Sequence, residues 1–539
     1  MGGLPEEKVI VRYNADGLPV STSGTDWYTS QTTYSVYGEV LRTTTGEQGS
    51  RVWTTNLFDE ATGQVEQTIV DRESTSNATS GLTGHRVNAR DYVYDVSGNI
   101  TSTTDTYAAV VDRQCFTYDG IGQLTEAWTT QRSECTVPVA ADGTVNVTAD
   151  NAGYWQSYTY DELGNRKTLN THNAKVSFLL DGSVNTAADS TTTYAYGTED
   201  ATSGSGVAQP HTLTSMESVY TNAAGSEMTE ASTLVSDELG QTTSRTIGGN
   251  EQAIAWTWDG KDESVSGFGA GGKGAYTSGL NSGLCLDLSS GSTTAGTAIQ
   301  LYPCNSTKAQ QFRVEDAVTT DTATTGALQV SGVCVQPSGK AVTAGTAVVV
   351  AACDDTAAQQ WTVTSTGALK YAATSMCLVS PSNSTTTGVD LVLGACDGST
   401  AQAWNPADET SYLYDAFGNR IISTTSGDRT LYLDDTTLSL RTTGAVAYVE
   451  RSYAQPGAPT VIRRGTGEAN LYALVADHHG TPMAEIQLTT GNQTRFSRLD
   501  PYGNERVESA NWLSKTGYVG GTDDNTTGLT HLGAREYDP

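Results

Sequence analysis

The sequence predicts an all-β protein in which many hairpins wind into one continuous sheet, with a separate threefold module set into it. Three observations predict this. The 26 Tyr and 56 Gly stand against only 7 Phe and 5 Met, and Thr and Ser run throughout; such a balance favours strands and tight turns. No amphipathic helical period of about ten residues or more is found. Two unrelated repeats also run through the chain, one built on an aromatic-Asp turn and the other on paired cysteines.

The first repeat reads aromatic-Asp-x-x-Gly. It occurs as YDVSG from Tyr94, YDGIG from Tyr118, YDELG from Tyr160 and YDAFG from Tyr414, with looser copies from Tyr13, Phe58, Ser236 and Trp258. A second aromatic often precedes by two residues, as in Tyr92-Val-Tyr94, Tyr158-Thr-Tyr160, Trp256-Thr-Trp258 and Tyr412-Leu-Tyr414. That spacing puts both rings on one face of a strand. The Asp can accept turn N–H bonds, and the Gly can take positive φ. A polar strand then leaves the turn, such as NRKTLNT after Gly164. Each unit is thus strand, tight turn and returning strand. Spacing between units is irregular, which fits hairpins of differing length better than a strict solenoid.

The eight Cys are patterned. Cys285/Cys304, Cys334/Cys353 and Cys377/Cys396 are each 19 residues apart, and Cys115/Cys135 are 20 apart. Zinc ligands usually lie two to four residues apart with His nearby, so these gaps fit disulfides better. Each would stabilise by about 3 kcal/mol. An oxidising compartment follows, so a secreted or cell-surface location is expected. The start, Met1-Gly-Gly-Leu-Pro-Glu-Glu, lacks the basic and apolar regions of a signal peptide; either the chain is a fragment or export uses another signal.

Residues 263–274 read as a Gly-rich linker. Beyond it, 275–406 hold the second repeat. Each of its Cys pairs is followed eight residues later by the aromatic of a Gln-x-aromatic triplet ending at Phe312, Trp361 or Trp404. In each, the aromatic can be buried while the Gln amide holds a turn. Copies of about 45 residues cannot close a core alone, so they are expected to pack around a pseudo-threefold axis. The first repeat resumes at Tyr412. The module is therefore an insertion, expected outside the sheet on a tether.

Charge excludes several partners. The 60 acidic and 30 basic residues give a net charge of −30, which argues against nucleic acid and against electrostatic docking on anionic membranes. No apolar run approaches the ~18 residues of a membrane span.

The aromatic-Asp units resemble those of the RHS or YD-repeat family, loosely over 1–262 and well over 407–539. VADHHGTPMAEI from Val475 and RLDPYGNERVE from Arg498 resemble two segments of that family. GYVGGTDDNTTGLTHLGAREYDP, residues 517–539, resembles its RHS-associated core. The resemblance implies a hollow β-shell that delivers a C-terminal toxin cargo, as in bacterial polymorphic toxins. Some members cut themselves with an aspartyl protease at the end of the core. Arg535 and Asp538 match the start of that region, but the stretch carrying the further Asp is absent, so the site is expected to be incomplete and Asp538 structural.

Residues 275–406 resemble the ricin-type β-trefoil lectins, also called family 13 carbohydrate-binding modules. The resemblance implies a sugar site: a carboxylate for paired hydroxyls, a ring for the sugar's C–H face, and amides for orientation. The first copy supplies Asp287, Gln300, Tyr302, Asn305 and Gln310; Ala309 stands where Asn is common. The second and third copies carry Gln336 and Ala351, and Val379 and Gly394, at the carboxylate and ring positions, and look disabled. Galactose- or xylose-type glycans are the implied ligands.

The expected function is delivery by a secreted shell that binds cell-surface or wall carbohydrate. Alternatives are a glycan-binding adhesin without cargo and a glycoside hydrolase with a targeting module, though no paired catalytic carboxylates can be assigned. No cofactor is expected. His478-His479 lacks metal-ligand spacing and reads as part of a hairpin.

Overall fold

The computed structural model describes residues 3–73, 85–107, 110–138, 153–172, 189–197, 209–221, 227–247, 250–268, 274–305, 307–320, 323–354, 356–364, 366–371, 374–406, 409–425, 428–441, 444–467, 470–489, 493–506, 512–524, 526–533 and 535–538. Among these the protein is all-β, broken only by short 3-10 turns. No helix among them is long and apolar enough to cross a membrane.

The largest sheet has 27 strands. It is an antiparallel meander in which each strand pairs with its neighbour in sequence, from Ile10–Tyr13 through to Thr494–Phe496. It passes the insertion without a break: Asp262–Ser266 pairs directly with Glu409–Tyr414, with Val265 opposite Thr410. Residues 263–266, read from composition as linker, are therefore strand, because the returning chain satisfies their ladder N–H and C=O groups. Residues 269–273 of that stretch lie outside the described residues.

The aromatic-Asp turns share one chemistry. Asp95 Oδ1 accepts from the Ser97 and Asn99 backbone N–H groups at 2.8 and 2.9 Å. Asp119, Asp161, Asp237 and Asp415 repeat the pattern. The turn then needs φ of +87° at Gly98, open to Gly at no steric cost. The aromatic that ends the strand entering each turn, followed by Asp at Tyr94, Tyr118 and Tyr160 and by Gly197 at Tyr196, reaches back to the preceding hairpin. Tyr94, Tyr118, Tyr160 and Tyr196 donate their hydroxyls to the carbonyls of Val65, Ile100, Leu124 and Arg166 at 2.9, 2.8, 2.7 and 3.0 Å. Trp256 does so through its indole N–H, to Thr242 at 2.7 Å; there Thr257 rather than an Asp closes the turn, and Trp258, expected to share a strand face with Trp256, is exposed in it. The upstream aromatics Tyr92, Tyr158 and Tyr412 are buried.

The sheet folds back on itself. Tyr28, Val52, Val70 and Val87 pack against Tyr453, Val461, Leu471, Val475 and Ile486 in one apolar cluster. Beside it the buried Glu7 carboxylate accepts from Tyr28, Tyr453 and Arg451, the last at 3.1 Å. Where the first and last strands meet, side chains are in contact, so no lumen separates them there. The middle strands differ: Glu227–Ser236 buries a single residue, Ser232, along its length.

Residues 276–406 form two further sheets around their own core, with Phe312, Trp361 and Trp404 fully buried at its centre. The expected disulfides close it, with Cα–Cα distances of 5.0, 5.0 and 5.1 Å for Cys285–Cys304, Cys334–Cys353 and Cys377–Cys396. Cys115–Cys135 staples the strand Val110–Tyr118 in the large sheet. The module is not free on a tether. Lys308 pairs with Glu505, and Gln311, Arg313 and Ser331 face Pro482, Asn504 and Tyr518 across a cleft of about 370 Å³.

Candidate carbohydrate-binding site

Antiparallel register brings the expected sugar residues together. On neighbouring strands Asn281–Leu288 and Ile299–Pro303, Asp287 lies opposite Gln300, and Cys285 opposite Tyr302. Gln300 and Tyr302, two residues apart, share a face. The disulfide from Cys285 to Cys304 fixes the far end of this pair of strands.

Asp287 is only 4% exposed. Its Oδ1 accepts from Gln300 Nε2 at 2.7 Å and its Oδ2 from Gln310 Nε2 at 3.0 Å. Burial pushes its carboxyl up to about 6, although both amide donors pull the other way. Each oxygen keeps one lone pair for a ligand hydroxyl. Tyr302 is 38% exposed, which leaves ring surface for a sugar face.

Gln310 and Asn305 have structural duties as well. Gln310 Oε1 accepts from the Asn305 N–H at 2.8 Å, and its Nε2 donates to the Pro303 carbonyl at 3.0 Å. The other copies do the same: Gln359 clamps Asp354 N–H and Ala352 C=O, and Gln402 clamps Asp397 N–H and Ala395 C=O. Because the clamp recurs in copies without a carboxylate, it belongs to the fold. The Asn305 side chain holds Thr307 through its N–H and hydroxyl. The structure thus unites Asp287, Gln300 and Gln310, keeps Tyr302 on the same strand pair, and turns Asn305 to its own loop.

Asp390 escaped sequence reasoning. It sits opposite Gln300 on the side away from Asp287, on a short strand from the third copy. Asp287, Gln300 and Asp390 therefore form a row across three strands. Nothing in the third copy's own spacing marks Asp390; only packing of the copies brings it here.

The C-terminal candidates do not converge. Asp538 pairs with Arg245, which also donates to Gln252 and to the Thr527 carbonyl at 2.7 and 3.0 Å. Arg535 is exposed. Asp477 closes a turn at His479 and Thr481, and His478 packs edge-on to Tyr92, 5.4 Å between centroids. The acid-His group Asp262, His531 and Glu536 is bridged by Arg420, which pairs with both carboxylates at 2.8 and 2.7 Å.

A family model for the ricin-type β-trefoil lectin domain matches residues 274–404 and again 324–438. No curated protein matches the chain. Among solved structures, the designed threefold-symmetric protein ThreeFoil is 18% identical, with 24% of this chain and 95% of that one covered and a TM-score of 0.22. A non-toxic homologue of type II RIPs from Momordica charantia, in complex with α-methyl-D-galactoside, is 18% identical, with 47% and 98% covered and a TM-score of 0.20. A Photorhabdus luminescens Tc holotoxin pore is 15% identical, with 98% of this chain but 26% of that one covered and a TM-score of 0.26; the chain spans about a quarter of its length. At these scores none of the three bears on what the chain does.

The module is therefore a carbohydrate-binding lectin domain. It is of the ricin-type β-trefoil kind, set within a larger all-β chain. Four disulfides and a lectin domain fit an extracellular location.

Proposed function

We propose that residues 1–262 and 407–539 form the shell of an RHS/YD-repeat delivery protein, and that the lectin domain at 275–406 directs it to carbohydrate on a cell surface or wall. The cargo is a C-terminal effector. Support for the shell comes from the recurring aromatic-Asp turn with one bonding pattern, and from the motif at 517–539. The observation that carries the targeting role is the buried Asp287, held by two amides beside the exposed Tyr302. Asp287, Gln300 and Tyr302 contact the sugar, while Asn305 and Gln310 shape the loop. Galactose- and xylose-type glycans are the ligands to try first.

A glycan array with the full chain tests the targeting role. Binding to one sugar class, lost in Asp287→Ala and Tyr302→Ala, is expected; equal binding by both variants removes the pocket. Negative-stain images test the shell. A body enclosing a cavity with a knob on one side is expected, and a filled body refutes it.

A further inference from the structure

The strands Trp155–Tyr160 and Arg166–His172 carry side-chain chemistry that neither lectin nor shell uses. Strand alternation turns Gln156, Tyr158 and Tyr160 toward Asp500 and Tyr502. Trp155, Ser157 and Thr159 therefore occupy the opposite face. There the Ser157 hydroxyl stands 3.1 Å from Nε2 of His172. Nδ1 of the same ring stands 2.9 Å from Oδ2 of Asp189.

These contacts are those of a nucleophile, a general base and an orienting carboxylate. With Asp189 accepting from Nδ1–H, the lone pair of Nε2 faces Ser157, and the hydroxyl donates to it. Trp155 stacks on the imidazole at 3.9 Å between centroids and 27° between planes, which holds the ring in register. The Trp155 indole N–H in turn ties the Glu126 carboxylate at 2.7 Å. Asn170 lies directly opposite Ser157. Its Oδ1 accepts from Thr191 at 2.9 Å, and its amide N–H₂ has no acceptor among the described residues. His172 and Asp189 keep 20% and 19% of their side-chain surface open, so solvent and a small substrate reach them.

We propose that Ser157, His172 and Asp189 form a hydrolytic triad for esters of short acyl groups, with the Asn170 amide as oxyanion donor. Ser157 Oγ attacks the acyl carbonyl carbon while its proton passes to His172 Nε2. The carbonyl electron pair moves to oxygen, where Asn170 Nδ2–H meets the charge. Collapse breaks the bond to the alkoxy oxygen, which leaves as the alcohol with the proton from His172. Water then attacks the acyl-serine, again giving its proton to His172, and a carboxylic acid and free Ser157 result. With His172 and Asp189 each only about one-fifth open, the site suits short acyl groups.

The full chain should be treated with a fluorophosphonate probe and, separately, with p-nitrophenyl acetate. One adduct, mapped to Ser157, and ester turnover above that of free imidazole are expected. Ser157→Ala should lose both. His172→Ala should lower labelling and turnover by about 100-fold or more. Asp189 is a positioning residue, so Asp189→Asn should lower turnover while the binding of substrate stays. These side chains lie on the face opposite Asp500 and Tyr502 and are half-buried, and unchanged circular dichroism melts confirm folded variants. An adduct at another residue, or Ser157→Ala turning over ester as fast as the unaltered chain, overturns the proposal. So does turnover no faster than imidazole.

Discussion

Lowering the pH from 8 to 5 should weaken sugar binding by the lectin domain about tenfold. The cause is Asp287, whose carboxyl burial has pushed up to about 6. A carboxyl of that value is ionised almost completely at pH 8 and in about one molecule in eleven at pH 5. Sugar hydroxyls donate to the ionised form. Protonation also puts a hydrogen where Gln300 or Gln310 now donates, so the acid form loses an internal bond as well. Affinity is therefore present above about pH 6 and fades below it. The six His lie at 85, 172, 211, 478, 479 and 531, all outside 275–406, so no imidazole in the module can imitate the effect. Calorimetry against the sugar found on the array, at half-unit pH steps, measures it, with circular dichroism confirming the fold at each step. Asp287→Asn should bind weakly with a flat profile. A flat profile in the unaltered chain refutes the assignment of Asp287 as the sugar's acceptor.

Other outcomes follow from the same contacts. Tyr118→Phe deletes the hydroxyl bond to the Ile100 carbonyl, at a cost of about 1 kcal/mol; amide exchange in the turn after Tyr118 should quicken about fivefold. Glu7→Ala leaves Arg451 without its carboxylate partner, costing about 3 kcal/mol, and limited proteolysis should then cut first near the N-terminus. Burial pushes the Glu7 carboxyl up, but bonds from Tyr28, Tyr453, Thr25 and Arg451 outweigh it and hold the group low. That contribution is therefore complete above the usual carboxylate range and is lost as pH falls through the depressed value. Replacing Cys285 and Cys304 together by Ser should lower the module's stability by about 3 kcal/mol, read as an earlier melting transition by calorimetry.

Much of the architecture is written in local chemistry. The Asp-x-x-Gly turn needs only an acceptor and a positive φ, both residue properties, so Asp95 and Gly98 announce it. The equal Cys gaps and the Gln-x-aromatic triplets likewise report contacts within one copy. Contacts made across hundreds of residues leave no such mark. The packing of Tyr28 on Tyr453, the pairing of Lys308 with Glu505 and the arrival of Asp390 beside Gln300 depend on how distant pieces meet. The Ser157–His172–Asp189 contacts span only 15 and 17 residues, yet they too leave no mark, because three common residue types meet only once strand register aligns them.

The backward reach of each tyrosine gives the sheet a direction of growth. A hairpin is locked by a carbonyl already laid down before it, so a ribosome delivering the amino end first supplies every anchor ahead of its ligature. The bonds from Tyr453 and Arg451 to Glu7 arrive late and fasten the first course to one laid down more than 400 residues after it. Pulse-labelled exchange during synthesis should find protection advancing along the chain, with Glu7 and its neighbours fully shielded only once Tyr453 has emerged.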